Sequence, residues 1–149
     1  MPRDIPVGNG DLLITFDRLY RIRDIFYPNV GRFNHTDGHV QRFGVWADGK
    51  FAWIEEPGWE RSLKYRPDTL VTEVVLRHPG LALEITCNDA VEFHEPLYVR
   101  RAVVRDLAGR DRDVRLFCHW DLSVRGSPVG DTANYDPATS SVVVYKDDA

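Results

Sequence analysis

Hydrophobic and polar residues alternate in short runs along most of the chain, and no stretch has the period of an amphipathic helix over several turns. Alternation with a two-residue period places successive side chains on opposite faces of a β-strand. The pattern therefore predicts an all-β fold with few or no helices. The predicted strands are 11–17, 21–27, 41–46, 50–54, 69–77, 81–88, 97–106, 113–122 and 141–146.

Turn residues between these runs predict hairpins. Asp48 and Gly49 supply the positive φ angles that a two-residue hairpin turn requires. In the His78-Pro79-Gly80 turn, proline presets φ and Gly80 is expected to take the left-handed conformation. Two further predicted hairpins join 11–17 to 21–27 and 97–106 to 113–122. Hairpins with one apolar face each predict an antiparallel β-sandwich, because two such faces bury one another.

The last run, 141–146, has strand composition but no following partner. Complete domains usually cover such an apolar edge, since an unpaired strand is open to pairing with other chains. The length of 149 residues fits one domain. We therefore expect residues 1–149 to form a single, incomplete β-sandwich domain.

Composition and charge exclude several classes of protein. The hydrophobic fraction of 43% and the charged fraction of 28% are typical of a globular protein rather than a disordered one. The formal net charge of −4, with acids near the basic residues, argues against a nucleic-acid partner. No apolar run approaches the roughly 18 residues of a membrane span, and the N-terminus lacks the apolar core of an export signal. We expect a cytoplasmic protein without a membrane partner, unless processing has already removed a leader.

The two cysteines, Cys87 and Cys118, each lie in register with apolar residues at alternate positions. This register predicts that both side chains point inward. We interpret them as buried, reduced thiols rather than as a disulfide or a reactive site.

Carboxylates near aromatic residues are the first candidates for chemistry, because glycoside hydrolysis uses two of them across the scissile bond. They are Glu55, Glu56 and Glu60 near Trp53 and Trp59, and Glu92 and Glu95 beside Phe93 and His94. Their positions in the sequence do not place any two at a workable separation. We interpret them as solvated acids at strand ends.

Two segments contain residue types that serve as metal ligands in other proteins. His35, Asp37 and His39 offer a mixed nitrogen and oxygen ligand set, but no fourth ligand lies nearby in the sequence. Asp131 and Asp136 do not have the spacing of a calcium-binding EF-hand loop. We interpret the first segment as a polar loop and the two aspartates as turn caps, and we expect neither a metal nor a cofactor.

Tryptophans are candidates for stacking on sugar rings, because an indole is a flat amphipathic plate. Trp46 and Trp53 lie in predicted hairpin strands and are expected in the core. Trp59 lies beside Pro57 and Gly58 and is expected to be exposed, which makes it a possible sugar-stacking residue.

A set of short motifs occurs in a characteristic order. They are Gly-Asn-Gly at 8–10, Ile-Arg-Asp-Ile-Phe-Tyr-Pro from 22, Val-Gly at 30–31, Asn34-His35, Arg-Phe-Gly at 42–44, Phe-Ala-Trp at 51–53, Tyr65 with Asp-Thr-Leu-Val at 68–71, and Gly-Asp-Thr-Ala-Asn-Tyr-Asp-Pro from 130. Because it contains these motifs in this order, the chain resembles the N-terminal β-sandwich domain of prokaryotic glucoamylase-type enzymes, glycoside hydrolase family fifteen. The likeness runs from about residue 5 to the C-terminus.

In that family the sandwich packs on an (α/α) barrel, which supplies a glutamate acid and a glutamate base for inverting hydrolysis of α-linked glucosides. The resemblance covers only about the first half of the family's sandwich, before the barrel. It therefore implies a noncatalytic portion that braces the barrel, which would be its partner together with an α-glucan oligosaccharide bound there. No catalytic residue is assigned to this chain, and we expect it to be inactive alone. The alternative is a free-standing carbohydrate-binding or structural sandwich.

The resemblance also suggests a role for the loop from Tyr27 to His35. Pro28 and Gly31 restrict the backbone of this loop, while Asn34 and His35 offer hydrogen-bonding edges. We expect Tyr27, Pro28, Asn34 and His35 to lie at the interdomain surface and the rim of the substrate pocket. The alternative is a loop that only closes one end of the sandwich.

Overall fold

A computed structural model describes residues 5–127 and 129–146 as antiparallel strands joined by turns. The strands are β1 (Ile5–Gly8), β2 (Leu13–Phe16), β3 (Ile22–Phe26), β4 (Arg42–Ala47), β5 (Lys50–Trp53), β6 (Glu60–Tyr65), β7 (Thr72–His78), β8 (Leu83–Val91), β9 (Tyr98–Asp106), β10 (Val114–His119), β11 (Asp131–Asp136) and β12 (Ser141–Lys146). Two short 3-10 helices span Pro79–Leu81 and Val124–Gly126. The predicted all-β antiparallel fold with few helices is confirmed. None of the helices within the described residues is long and apolar enough to cross a membrane.

The strands form three sheets and one separate hairpin. Their orders are β1-β2-β3, β10-β4-β5 and β6-β7-β8-β9, with β11 paired to β12. A single bridge between Ile22 and Gln41 joins the first two sheets. Side chains of these two sheets meet those of the four-stranded sheet in one core.

Strict alternation along β7 and β8 builds one wall of this core. Val74, Leu76, Leu83 and Ile85 are fully buried, whereas the residues between them lie at the surface or are half-buried. Removing these aliphatic side chains from water is the main stabilising term, at roughly 1.5–3 kcal/mol for each fully buried one. We therefore expect the four-stranded sheet to be the part of the molecule that resists unfolding most.

The Asp48-Gly49 turn has the predicted conformation, with φ angles of 51° and 76° between the paired residues Ala47 and Lys50. The prediction for Gly80 is wrong. Residues 79–81 form a 3-10 turn instead, and the left-handed residue is Ala82, with φ of 51°. The His78 ring stabilises this turn because its Nδ1 accepts a hydrogen bond from the amide of Leu81 at 3.1 Å.

The predicted hairpin between 97–106 and 113–122 is also wrong. β9 pairs with β8, whereas β10 pairs with β4 in the other sheet. The connection after β9 therefore crosses between layers, and Arg112 holds it there. The guanidinium of Arg112 donates to the carbonyl of Leu81 at 2.5 Å and to the carboxylate of Asp48 at 2.6 Å.

The crossing of layers explains why the two cysteines differ. Cys87 on β8 is buried, as predicted, and both thiols are free. Cys118 is exposed, although its partner Phe43 across β4 is buried. β10 is the edge strand of its sheet, and Leu116 on the same inward face is exposed as well.

The predicted strand 141–146 is confirmed as β12, but its partner precedes it. β11 runs from Asp131 to Asp136, the two residues interpreted as turn caps, and the predicted strands include neither it nor β1 or β6. Within the described residues, polar contacts join the hairpin of β11 and β12 to residues 124–127. Among them, the amide of Val124 donates to Asp131 at 3.2 Å and the Lys146 Nζ donates to the carbonyl of Ser127 at 2.5 Å.

Candidate functional site

Asn34 fixes the loop that the sequence singles out. Its Oδ1 accepts from the amides of Ile25 and Thr36 at 3.1 and 3.2 Å, and its Nδ2 donates to Asp24 at 2.9 Å. The other carboxylate oxygen of Asp24 accepts from the buried hydroxyl of Thr15 at 2.6 Å. The amide of Asn34 therefore ties the loop to β3 and β2.

His35 fastens the same loop to a more distant segment. One ring nitrogen, Nε2, lies 2.9 Å from the carbonyl of Tyr27, so this nitrogen carries the hydrogen. The other, Nδ1, accepts from the amide of Arg125 at 3.4 Å. The backbone adds a bond from the amide of Ser123 to the carbonyl of His35 at 2.7 Å. Both ring nitrogens of His35 are thus engaged within the chain.

Tyr27 and Pro28 lie at the exposed tip of the loop, joined by a cis peptide bond. They provide the surface of the loop, whereas Asn34 and His35 hold its shape. The structure thus brings the four predicted rim residues into one loop, with two in a positioning role.

A groove of about 300 Å³ lies beside this loop, lined by residues 17, 21–24 and 38–40. Its acids have internal partners. Asp17 accepts from the guanidinium of Arg21 at 2.6 and 2.7 Å, and Asp24 belongs to the network around Asn34. Carboxylates held in this way maintain the shape of a polar groove and are not poised as an acid and base pair.

Trp59 is 6% exposed, so the predicted exposure is wrong. Its ring packs edge-to-face on His78 at 4.9 Å. The guanidinium of Arg61 holds the preceding loop against the core, because it donates hydrogen bonds to the carbonyls of Ile54 and Glu56 at 2.8 and 2.6 Å. With its indole in the core, Trp59 has no open face for a sugar ring.

Trp46 and Trp53 are half-buried on the outer face of their sheet, because the side chains that β4 and β5 turn toward the core are Phe43, Val45, Ala47 and Ala52. Their predicted place in the core is therefore wrong. The register of β4 decides this outcome, since a one-residue shift moves a side chain to the other face.

Glu55 and Glu92, two of the candidate acids, have local partners. Glu55 pairs with Arg42 at 2.6 Å, and Glu92 accepts from the amides of His94 and Glu95 at 2.5 Å. In the part of the chain that the structure describes, no group of three His, Cys, Asp or Glu side chains is arranged to hold a metal. The hydroxyl of Thr139 and the amide of Ala138 hold the pKa of Asp136 below its usual range, as expected for a turn cap.

A buried polar cluster, which sequence reasoning missed, lies at the centre of the molecule around Asp89. This fully buried carboxylate accepts from the Nε of Arg100 at 2.7 Å, from the hydroxyl of Thr72 at 2.8 Å, and from the hydroxyls of Tyr20 and Tyr98. The guanidinium of Arg100 also lies over four aromatic rings, the nearest being Tyr20 at 4.8 Å. The register could have indicated the pair, because Asp89 and Arg100 face each other across β8 and β9.

Burial dominates the acid–base behaviour of the groups in this cluster. It raises the pKa of the Tyr20 and Tyr98 hydroxyls above their usual values, although the guanidinium of Arg100 opposes the shift. Burial likewise raises the pKa of the Cys87 thiol to about 11. These groups remain protonated at neutral pH, and the cluster is suited to holding strands together rather than to proton transfer.

Comparison with known proteins gives one informative similarity. No family model and no solved structure matches the chain. A protein of Methanocaldococcus jannaschii, named as an uncharacterized glycosyl hydrolase, is 25% identical over 130 residues. The aligned region covers 87% of this chain and 20% of that protein, so the chain spans about a fifth of its relative's length. The chain is thus distantly related to a glycosyl hydrolase.

Proposed function

We propose that this chain is the noncatalytic N-terminal β-sandwich portion of a glucoamylase-like glycoside hydrolase that acts on α-linked glucosides. The similarity of 87% of the chain to a fifth of a glycosyl hydrolase carries the proposal. A module without the catalytic acids, attached to a larger enzyme, produces a match of this kind. The all-β antiparallel fold agrees with a sandwich in this role.

The uncovered side of the core supports the idea of a larger assembly. Ala102 on β9 and Leu116 on β10 point inward, since their cross-strand partners Cys87 and Val45 are fully buried. Both residues are nevertheless exposed. In this proposal, further strands of a longer polypeptide cover the side chains between the two edge strands and complete the sandwich.

The loop containing Tyr27 and Pro28 is the proposed contact with a catalytic (α/α) barrel. Its exposed tip suits a surface that packs on another domain, and the hydrogen bonds of Asn34 and His35 hold the tip in one conformation. A rigid rim binds a glucan without losing conformational entropy of its own. The loop would thereby brace the barrel and shape one side of its pocket.

The genomic sequence downstream of the codon for Ala149 tests the proposal directly. We expect the reading frame to continue into helical sequence that contains the catalytic glutamates. A stop codon followed by unrelated sequence would contradict the proposal and favour a free-standing sandwich.

Kinetics of a protein that includes the barrel test the role of the loop. Tyr27→Ala and His35→Ala are expected to raise KM or lower kcat for maltooligosaccharides, because the rim loses a contact or its fixed shape. Phe93→Ala is the matched control, since Phe93 is an exposed aromatic residue in a different loop. Unchanged constants for both loop variants would contradict a rim role.

A further inference from the structure

β9 forms one edge of the four-stranded sheet, and it is a long and regular strand. All nine of its residues pair with β8 without a shift in register, and no other strand of the described residues pairs with it. Its sequence contains no proline, and no bulge bends it away from a neighbour. A long, flat edge of this kind presents unpaired backbone amides and carbonyls to a further strand.

The outer face of β9 alternates between apolar and positively charged side chains. The inward positions of the strand are those opposite the buried residues Leu83, Ile85 and Cys87. The outward positions between them are Val99, Arg101, Val103 and Arg105, and all four are exposed. Two exposed valines on an edge strand leave apolar surface beside each arginine.

The positive charge on this outer face is not balanced within the described residues. Glu84 on β8 lies 3.9 Å from Arg105, but it pairs more closely, at 2.6 Å, with Arg77 on its other side. Arg101 faces the neutral Asn88 and forms no ion pair in the part of the chain that the structure describes. The chain as a whole has a formal net charge of −4, so this positive strip is a local feature.

These charges argue against the same strand of a second copy as the partner. When two β9 strands pair antiparallel in one sheet, the outer face of each meets the outer face of the other. Every register within the strand then places Arg101 and Arg105 opposite an arginine or a valine. Like charges directly opposite each other destabilise a strand pair, and a valine leaves the charge unpaired.

We propose that β9 pairs with a further strand of the longer polypeptide whose outer face carries acidic residues opposite Arg101 and Arg105 and apolar residues opposite the valines. The inference rests on the proposed function for the existence of that polypeptide, and it adds the chemistry of the strand. Opposite charges at facing positions stabilise a strand pair, and backbone hydrogen bonds supply the remaining affinity. The inward side chains of the added strand would lie beside the exposed Ala102, at the open side of the core.

Charged side chains can also protect an edge from pairing, so the test compares an acidic and a basic strand on the same edge. The acidic probe is the capped peptide Val-Thr-Glu-Thr-Val-Thr-Glu-Thr-Val, and the basic probe has lysine in place of glutamate. Amide chemical shifts of the isotope-labelled full chain measure binding. The acidic probe is expected to shift the amides of β9 but not those of β6, the other edge of the sheet. It should bind about tenfold more tightly than the basic probe, because two facing charge pairs change sign.

Charge reversal on β9 provides the matching variant. Arg101→Glu combined with Arg105→Glu is expected to bind the basic probe in preference to the acidic one, with an unchanged circular dichroism spectrum. Arg101→Glu alone decides the question if the double variant does not fold, and it should reduce the preference for the acidic probe. Arg18→Glu combined with Arg66→Glu is the control, since both arginines are exposed in connections outside β9 and the change in net charge is the same. This control should retain the native preference.

Two results would overturn the proposal. The first is that neither probe shifts the β9 amides at millimolar concentration, which would mean that the arginines keep the edge free of partners. The second is that the charge-reversed chain still prefers the acidic probe, which would place binding elsewhere. Both measurements use this chain alone and are independent of the sequence that follows Ala149, so a failure here is distinguishable from a failure of the proposed function.

Discussion

Asp89 and Arg100 form an ion pair at the centre of the molecule, where water does not reach the carboxylate and has little access to the guanidinium. The side chain of Asp89 is fully buried and that of Arg100 is 18% exposed, with 2.7 Å between them. Such a pair adds little stability compared with apolar residues of the same size. Removing one member, however, leaves the other charge buried without compensation.

We therefore expect Asp89→Asn to lower the free energy of unfolding by about 3–5 kcal/mol, as measured by urea denaturation. Asn keeps the shape of the side chain but not the charge that balances Arg100. Asp113→Asn is the control, because Asp113 also accepts from an arginine Nε, at 2.8 Å, but in an exposed pair. Similar losses for the two variants would show that burial does not determine the effect.

At the scale of single residues, the sequence pattern predicts on which face of a strand a side chain lies. It does not predict which other residues that side chain contacts. The alternation around Cys87 predicts its burial correctly, because the opposing sheet covers β8. The same reasoning fails for Cys118, since no alternation shows that β10 is an edge strand. Trp59 lies in a loop that side-chain bonds from Arg61 draw into the core, and loop composition does not reveal such bonds.

At the scale of elements, β4 depends on a glycine within a strand. Gly44 has no positive φ, so its role is steric. A Cβ there would meet Phe51 at 2.5 Å, Trp53 at 2.9 Å and the carbonyl of Ala52 at 3.0 Å. The backbone of the neighbouring strand cannot move away as easily as a flexible side chain. The pairing of β4 with β5 is thus closest with glycine at this position, and a larger residue would push the strands or the two rings apart.

Gly44→Ala is expected to destabilise the chain by about 1–3 kcal/mol, the usual cost of overpacking. Urea denaturation measures this loss. The double variant with Phe51→Ala should show coupling, because removing the Phe51 ring relieves the shortest contact. Strictly additive losses would mean that the two positions do not interact.

The positions of strands along the chain are easier to predict from the sequence than the choice of which strands pair. Most predicted strands occur within a few residues of their expected bounds, since alternation is a local property. The partner of β10 is β4, more than sixty residues earlier in the chain. That choice depends on which apolar faces cover one another, and a local pattern does not contain this information. For the candidate site, the sequence indicated the loop around Asn34 and His35 but not the internal bonds that make these two residues supports.

At the scale of the whole molecule, the four-stranded sheet and the β11-β12 hairpin differ in how much apolar surface they bury. β7 and β8 lie in the middle of a four-stranded sheet and carry fully buried aliphatic residues. β11 and β12 form a two-stranded hairpin in which Tyr135 is 63% exposed and Val142 is 66% exposed. A hairpin of two strands is only marginally stable in water without an apolar surface to pack on.

Amide hydrogen exchange should therefore divide the chain. We expect the slowest exchange in β7 and β8, close to the rate set by global unfolding, and much faster exchange in β11 and β12 through local opening. Mass spectrometry of peptides covering 72–91 and 131–146 measures the difference. Equal protection of the two regions would mean that the hairpin is held by contacts stronger than those of Asp131 and Lys146. Within a longer polypeptide that covers the hairpin, the same amides should exchange more slowly, because their opening would then expose a buried surface.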